Sequence, residues 1–116
     1  MDLIRPNGYG AKALALSHLG KWNEVIKCYD QLIQENQDDP HNYNGKGKAL
    51  IALEKYNEAI ECFDKAIKIF PENFLFYFPK ASALAKLGDK ASTIIFFEKI
   101  FKRFPDCCVS STIYYQ

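Results

Sequence analysis

Two histidines and four cysteines are among the residues of this 116-residue chain whose types could do chemistry. His18 and His41 stand in no CxxC, HExxH or comparable ligand spacing, so no metal site is expected from them. A Cys/His nucleophile would need a base oriented by a third group in a closed pocket, and nothing marks Cys28 or Cys62 for that role. Asn44-Gly45-Lys46-Gly47 has the glycines of a phosphate loop in part only: it lacks the remaining glycine and the Lys-Ser/Thr ending, and it lies inside a helical pattern. Glu58, Glu61 and Asp64 fall beside Lys65 and Lys68 at helical spacing, which reads as a solvated outer face. Cys107 and Cys108 are adjacent, a poor geometry for bonding to each other, and sit where the last helix should end. No catalytic, cofactor-binding or metal-ligating set emerges, and the expected protein is not an enzyme.

The elements that carry these residues are helices. Tyr43, Gly47, Leu50, Ile51 and Leu53 recur at helical spacing, and Ala59, Ile60, Phe63, Ala66, Ile67 and Phe70 form a second such run. Glu54 to Asn57 break the two, with Asn57 suited to cap the second helix. Asp39 caps the first with Pro40 in its opening turn, and Pro71 closes the second because its ring nitrogen cannot donate. The unit is a helix hairpin.

That hairpin recurs at a displacement of 34 residues in both directions without a gap. Backward, Tyr9, Lys12, Ala15, Leu16, Leu19, Asn23, Cys28 and Asp30 repeat Tyr43, Lys46, Ala49, Leu50, Leu53, Asn57, Cys62 and Asp64. Forward, Tyr77, Lys80, Ala83, Leu84, Leu87, Phe97, Phe104 and Pro105 repeat Tyr43, Lys46, Ala49, Leu50, Leu53, Phe63, Phe70 and Pro71. Repeats therefore fall at 6–39, 40–73 and 74–107, with a tail at 108–116. The first helix is expected from about Asn7 to Leu19, where Gly20 ends it. Its partner, capped by Asn23, should run to about Glu35. A fifth helix, capped by Asn73, is expected from about Phe74 to Leu87, with Pro79 bending it or delaying its start. Gly88 ends it, and a sixth is expected from about Lys90 to Phe104.

A period of this length with small residues at set places resembles the tetratricopeptide repeat family. The carrying residues are Tyr43, Gly47, Leu50, Tyr56, Ala59, Phe63, Ala66 and Pro71. The first repeat departs at Gln37, where proline is usual, and the third at Lys90, where an aromatic is usual. The resemblance implies an all-α fold, an α-solenoid of three antiparallel helix hairpins in a right-handed superhelix, forming one domain over 1–116. Close helix crossing explains the small columns, and Gly47 is expected to face the Ala59 region. Val25, Leu32, Thr93 and Ile100 are bulkier at such columns, so the first and third hairpins should be more open than the second.

Bulk properties bound the function. A chain of this length holds one domain, and three hairpins are near the minimum for a stack in which each relies on its neighbours. A formal charge of +1 and the lack of a dense Lys/Arg cluster argue against nucleic-acid binding. Acids outnumber lysines in 6–39, the two balance in 40–73, and basic residues prevail in 74–107, so head-to-tail attraction is one reading and a solvated surface the other. The first twenty residues hold only the short apolar run Ala13 to Leu16, too brief for a signal or a span, so no membrane partner is expected. Cys28 and Cys62 share one column and read as reduced packing thiols. With no signal, they point to the cytoplasm, with the nucleus equally allowed.

What remains is binding to a protein or peptide. The resemblance implies a concave groove lined by the first helix of each hairpin. The groove positions are Asn7, Gly10, Leu14, Ser17 and His18, then His41, Asn44, Lys48, Ile51 and Ala52, then Leu75, Phe78, Ser82, Ala85 and Lys86. Asn44 and Lys48 could hold a peptide backbone and an acidic group, and Ile51, Leu75 and Phe78 apolar side chains. The subclass that grips chaperone C-terminal carboxylates needs basic residues and asparagines where this chain has Gly10, Leu14, Gly45, Leu75 and Pro79, so that clamp is absent. The alternative is a homo-oligomer through the third repeat, which holds seven of the nine phenylalanines. Ile95, Phe96, Ile100, Phe101 and Phe104 are its candidate interface; another protein or further repeats could cover this helix instead, or the tail could fold back as a capping segment with Val109, Ile113, Tyr114 and Tyr115 over Phe96 and Phe101. An RNA-binding helical repeat or an enzyme subunit is the third reading, and the strict period, Pro71, Pro105 and the balanced charge weigh against RNA.

Overall fold

The computed structural model describes residues 9–105. The order is α1 (Tyr9–His18), α2 (Trp22–Glu35), α3 (Pro40–Ala52), α4 (Tyr56–Ile69), a 3-10 turn (Phe74–Phe76), α5 (Tyr77–Lys86) and α6 (Lys90–Arg103). Among the described residues there is no strand. The helices pair as three hairpins, α1 with α2, α3 with α4 and α5 with α6, and α2 packs on α3 as α4 packs on α5. The second helices each span 14 residues and start and stop at equivalent columns of the repeat.

Local chemistry sets the boundaries. α1 and α5 each run into a glycine in the left-handed region, Gly20 at φ 74° and Gly88 at φ 81°, where a missing Cβ removes the steric penalty. The middle hairpin places Glu54 in the same column at φ 62°, a conformation that favours glycine. The first two turns close alike, with the Lys21 N–H donating to Leu16 O at 3.0 Å and the Lys55 N–H to Leu50 O at 2.8 Å. Asn23 and Asn57 do not cap. α2 and α4 start one residue before them, at Trp22 and Tyr56, and the flanking Lys21 and Lys55 make no side-chain cap bond. Asp39 does cap α3, accepting from the His41 N–H at 3.0 Å, and Pro40 fills the first helical position. Asn73 accepts from the Leu75 N–H at 3.0 Å, but what it caps is the 3-10 turn. Pro79 explains this: its ring would clash with the carbonyl of Leu75 in a helix, so α5 starts only at Tyr77. Asp89 caps α6 by accepting from the Ser92 N–H at 3.0 Å.

Among the described residues the core forms three clusters. Ala13, Val25 and Cys28 of the first hairpin close over Ala49 of α3. Leu50, Ala59, Cys62 and Phe63 fill the middle hairpin, with Ile26 of α2 against them. Tyr77, Ala81 and Ile100 form the third, with Ile67 of α4 and the rings of Phe78, Phe96, Phe97 and Phe104 around them. Each cluster draws a residue from the neighbouring hairpin, so no hairpin has a core of its own.

The middle hairpin is the most closely packed of the three and the third the least. Gly47 meets Phe63, one turn on from Ala59: a Cβ on Gly47 would lie 2.6 Å from Phe63 Cε1, and that ring is fully buried. Between hairpins, Tyr29 of α2 lies against Gly45 so closely that any side chain there would displace it. Asp30 pairs with Lys46 at 2.7 Å, and Asp64 with Lys80 at 2.6 Å, the same ion pair one period on. The tail, with Cys107, Cys108 and its expected fold-back over α6, lies outside the described residues.

Candidate peptide-binding surface

Helix periodicity splits α3 into two faces. Tyr43, Gly47 and Leu50 turn toward α4, while Asn44, Lys48 and Ile51, at steps of four and three, share another side, at the edge of which Ile51 still leans on the middle core cluster. Lys48 is exposed and Ile51 half-buried. Asn44 is half-buried too, and its Oδ1 is sealed without a hydrogen-bond partner among the described residues, an arrangement that costs about 1–3 kcal/mol. His41 is exposed at the start of α3, with its ring edge-on to the buried Phe76 at 5.4 Å between centroids. The third repeat thereby reaches the same end of α3.

The other groove candidates divide. Leu14 on α1 and Leu75 in the 3-10 turn are 61% and 59% exposed, large apolar groups with their faces open. His18 and Lys86 are exposed at matching levels of α1 and α5, and Ser82 is exposed one turn before Lys86. Phe78 is spent on packing: it stands edge-on to Phe74 at 5.7 Å and leans on the third core cluster, so little of it is offered to a ligand. Asn7 lies outside the described residues.

The α6 set is corrected by the structure. Ile100 is fully buried and belongs to the core. Phe96 stacks on Tyr77 at 6.0 Å under the Lys80 ammonium, and Phe104 is wedged between Phe74 and Tyr77. Ile95 and Phe101 are outward at 53% and 48% exposed, and Ile94, which the candidate set omitted, joins them at 59%. The 34-residue register could have found it, since Ile94 matches Ile26, a residue that packs across a hairpin seam.

Burial pushes the Cys62 thiol up, which keeps it protonated and unreactive near neutral pH. Burial also works to lower the Lys46 pKa, but its hydrogen bond to Asp30 and the Asp30 charge outweigh that, and the net shift is upward. Among the described residues no group of His, Cys, Asp and Glu is placed to hold a metal ion, and no helix is long and apolar enough to cross a membrane. A cleft of about 780 Å³ between α1 and α2 is lined by Lys12, Leu16, Glu24 and Cys28. Smaller clefts recur at the same columns of the other hairpins, at Lys46, Leu50, Glu58 and Cys62 and at Lys80, Leu84, Ser92 and Phe96. They are a by-product of the repeat and lie apart from the α3 face.

The family model of the tetratricopeptide repeat matches residues 43–73, the middle hairpin. No curated protein sequence matches the chain. Among solved structures it is similar to the TPR2B-domain:pHsp70 complex of yeast Sti1, with a TM-score of 0.81 and 21% identity over 91% of this chain and 86% of that one. It is similar to the second TPR of Spaghetti (RPAP3) bound to the HSP90 peptide SRMEEVD, with a TM-score of 0.74 and 19% identity over 81% and 87%. It is also similar to MamA from Desulfovibrio magneticus RS-1, with a TM-score of 0.78 and 16% identity, covering 88% of this chain but only 56% of that one. The middle hairpin thus matches the tetratricopeptide repeat model, and the described stack shares the fold of these solved repeat domains.

Proposed function

We propose that the chain is a non-enzymatic protein-interaction scaffold that takes a peptide segment along the face shared by α1, α3 and α5. The observation that carries this reading is the α3 face, where Lys48 offers a charge, Ile51 an apolar step and Asn44 an acceptor with no donor. A peptide that donates to Asn44 after a small side-chain rotation would relieve the cost of that orphan oxygen. An acidic residue would meet Lys48, and apolar side chains would meet Leu14 and Leu75. Two of the structural neighbours hold peptides, which supports the reading.

The peptide is not a chaperone C-terminal tail. The columns that would grip its carboxylate hold Gly10, Leu14, Gly45, Leu75 and Pro79, none of them charged. Gly45 is moreover occupied by the Tyr29 ring and Pro79 by the start of α5. Nucleic acid and membrane are not partners in this reading, and the two buried free thiols support a cytoplasmic or nuclear site of action.

The test is a peptide array of extended acidic-apolar sequences, followed by titration of the best binder. Asn44→Ala with Lys48→Ala should weaken that binder about tenfold or more without lowering the melting temperature. Equal affinity in the double variant sinks the groove reading, and micromolar binding of SRMEEVD that excess carboxylate abolishes sinks the exclusion of the clamp. A second reading, assembly of copies through the third hairpin, draws on Ile94, Ile95 and Phe101 standing half-exposed on α6.

A further inference from the structure

We infer that copies of this chain associate head to tail, the α6 face of one docking on the α1 face of the next as a continuation of the internal seams. This deepens the assembly reading and is independent of the groove. Both internal seams are built from one set of columns. In the first, Asp30 of α2 pairs with Lys46 of α3 at 2.7 Å, and Ala49 is buried beneath Cys28 and Val25. In the second, Asp64 of α4 pairs with Lys80 of α5 at 2.6 Å, and Ala83 is buried.

The outer faces carry the two halves of that set. On α6, Glu98 stands in the column of Asp30 and Asp64, Ile94 in that of Ile26, and Phe101 in that of Ile67. On α1, Lys12 stands in the column of Lys46 and Lys80, and Ala15, exposed, in that of the buried Ala49 and Ala83. Among the described residues neither Lys12 nor Glu98 has an ion-pair partner. The charge of the repeats runs the same way, acidic in 6–39 and basic in 74–107, so a last hairpin meets a first hairpin of opposite sign.

A contact that joins two different faces leaves a fresh copy of each face at the ends, so mass should grow with concentration without stopping at a dimer. The test is sedimentation velocity of the full chain from micromolar to near-millimolar concentration, with circular dichroism as a check on folding. Lys12→Glu and Glu98→Lys should each weaken association about tenfold or more, because like charges then face each other at the seam. Mixed in equal amounts, the two variants present Glu98 to Lys12 and the swapped pair in alternation, and association should return. A wild-type chain that stays monomeric overturns both this inference and the assembly reading. Association that stops at a dimer, ignores the two reversals or fails to return on mixing overturns the head-to-tail seam alone.

Discussion

The middle and third hairpins are laid on one 34-residue plan and close to different degrees. In the middle one Gly47, Ala59 and Ala66 let α3 and α4 approach until Phe63 is fully buried. In the third the same columns hold Ala81, Thr93 and Ile100, and Phe97, the counterpart of Phe63, remains half-buried. α5 is also shorter than α3, because Pro79 forbids its first turn. A repeat's register is thus held by its turns, while the closeness of its helices is held by a few small side chains. The third hairpin compensates with rings: Tyr77 meets Phe96 and Phe104, and its hydroxyl donates to Pro71 O at 2.7 Å.

The contrast is open to test. Phe63→Ala should cost about 3–5 kcal/mol in denaturant unfolding, since it empties a sealed site, and Phe97→Ala distinctly less. Equal losses would mean that the two crossings are alike. Gly47→Leu should cost about 1–3 kcal/mol, because the added side chain meets the Phe63 ring with nowhere for it to go, and an unchanged melting temperature would remove Gly47 from the account.

Glu54 gives a gain of function to the same comparison. It holds at φ 62° the column that glycine fills in the other hairpins, so Glu54→Gly should raise stability by about 0.5–1 kcal/mol, the reverse of the usual effect of a glycine. The smallest effect concerns Asp89. The Ser92 backbone N–H, then its hydroxyl, hold its carboxyl below the ordinary aspartate value, so the stability it lends α6 is complete above that value and lost as pH falls through the lowered one. Melting curves through that acid range should show a slightly smaller loss in Asp89→Asn than in wild type.

Much of the architecture was legible. The ends of α2, α4 and α6, the closing roles of Gly20, Gly88 and Pro71, the Asp39 cap and the delay imposed by Pro79 all follow from local rules. The caps assigned to Asn23 and Asn57 failed for a local reason too: the left-handed residue and the Lys21 and Lys55 hydrogen bonds return the chain to helix one residue early. The groove was legible as columns only. That Asn44 would turn an oxygen inward and Phe78 would join the core depended on neighbours far along the chain.

By itself, the sequence determined the period, the hairpin and the order of the stack, because turns, caps and apolar spacing act over a few residues and are written locally. Only the tertiary structure decided which side of α6 is core. That helix carries large apolar groups on more than one face, and the ring cluster of Tyr77, Phe96 and Phe104 packs with the buried Ile100 while Ile94, Ile95 and Phe101 stay outward. A face is chosen by what it packs against; the repeat register aligns Ile100 with buried Ala66, but only the packing leaves Ile95 and Phe101 outward while Phe96 and Phe104 turn in.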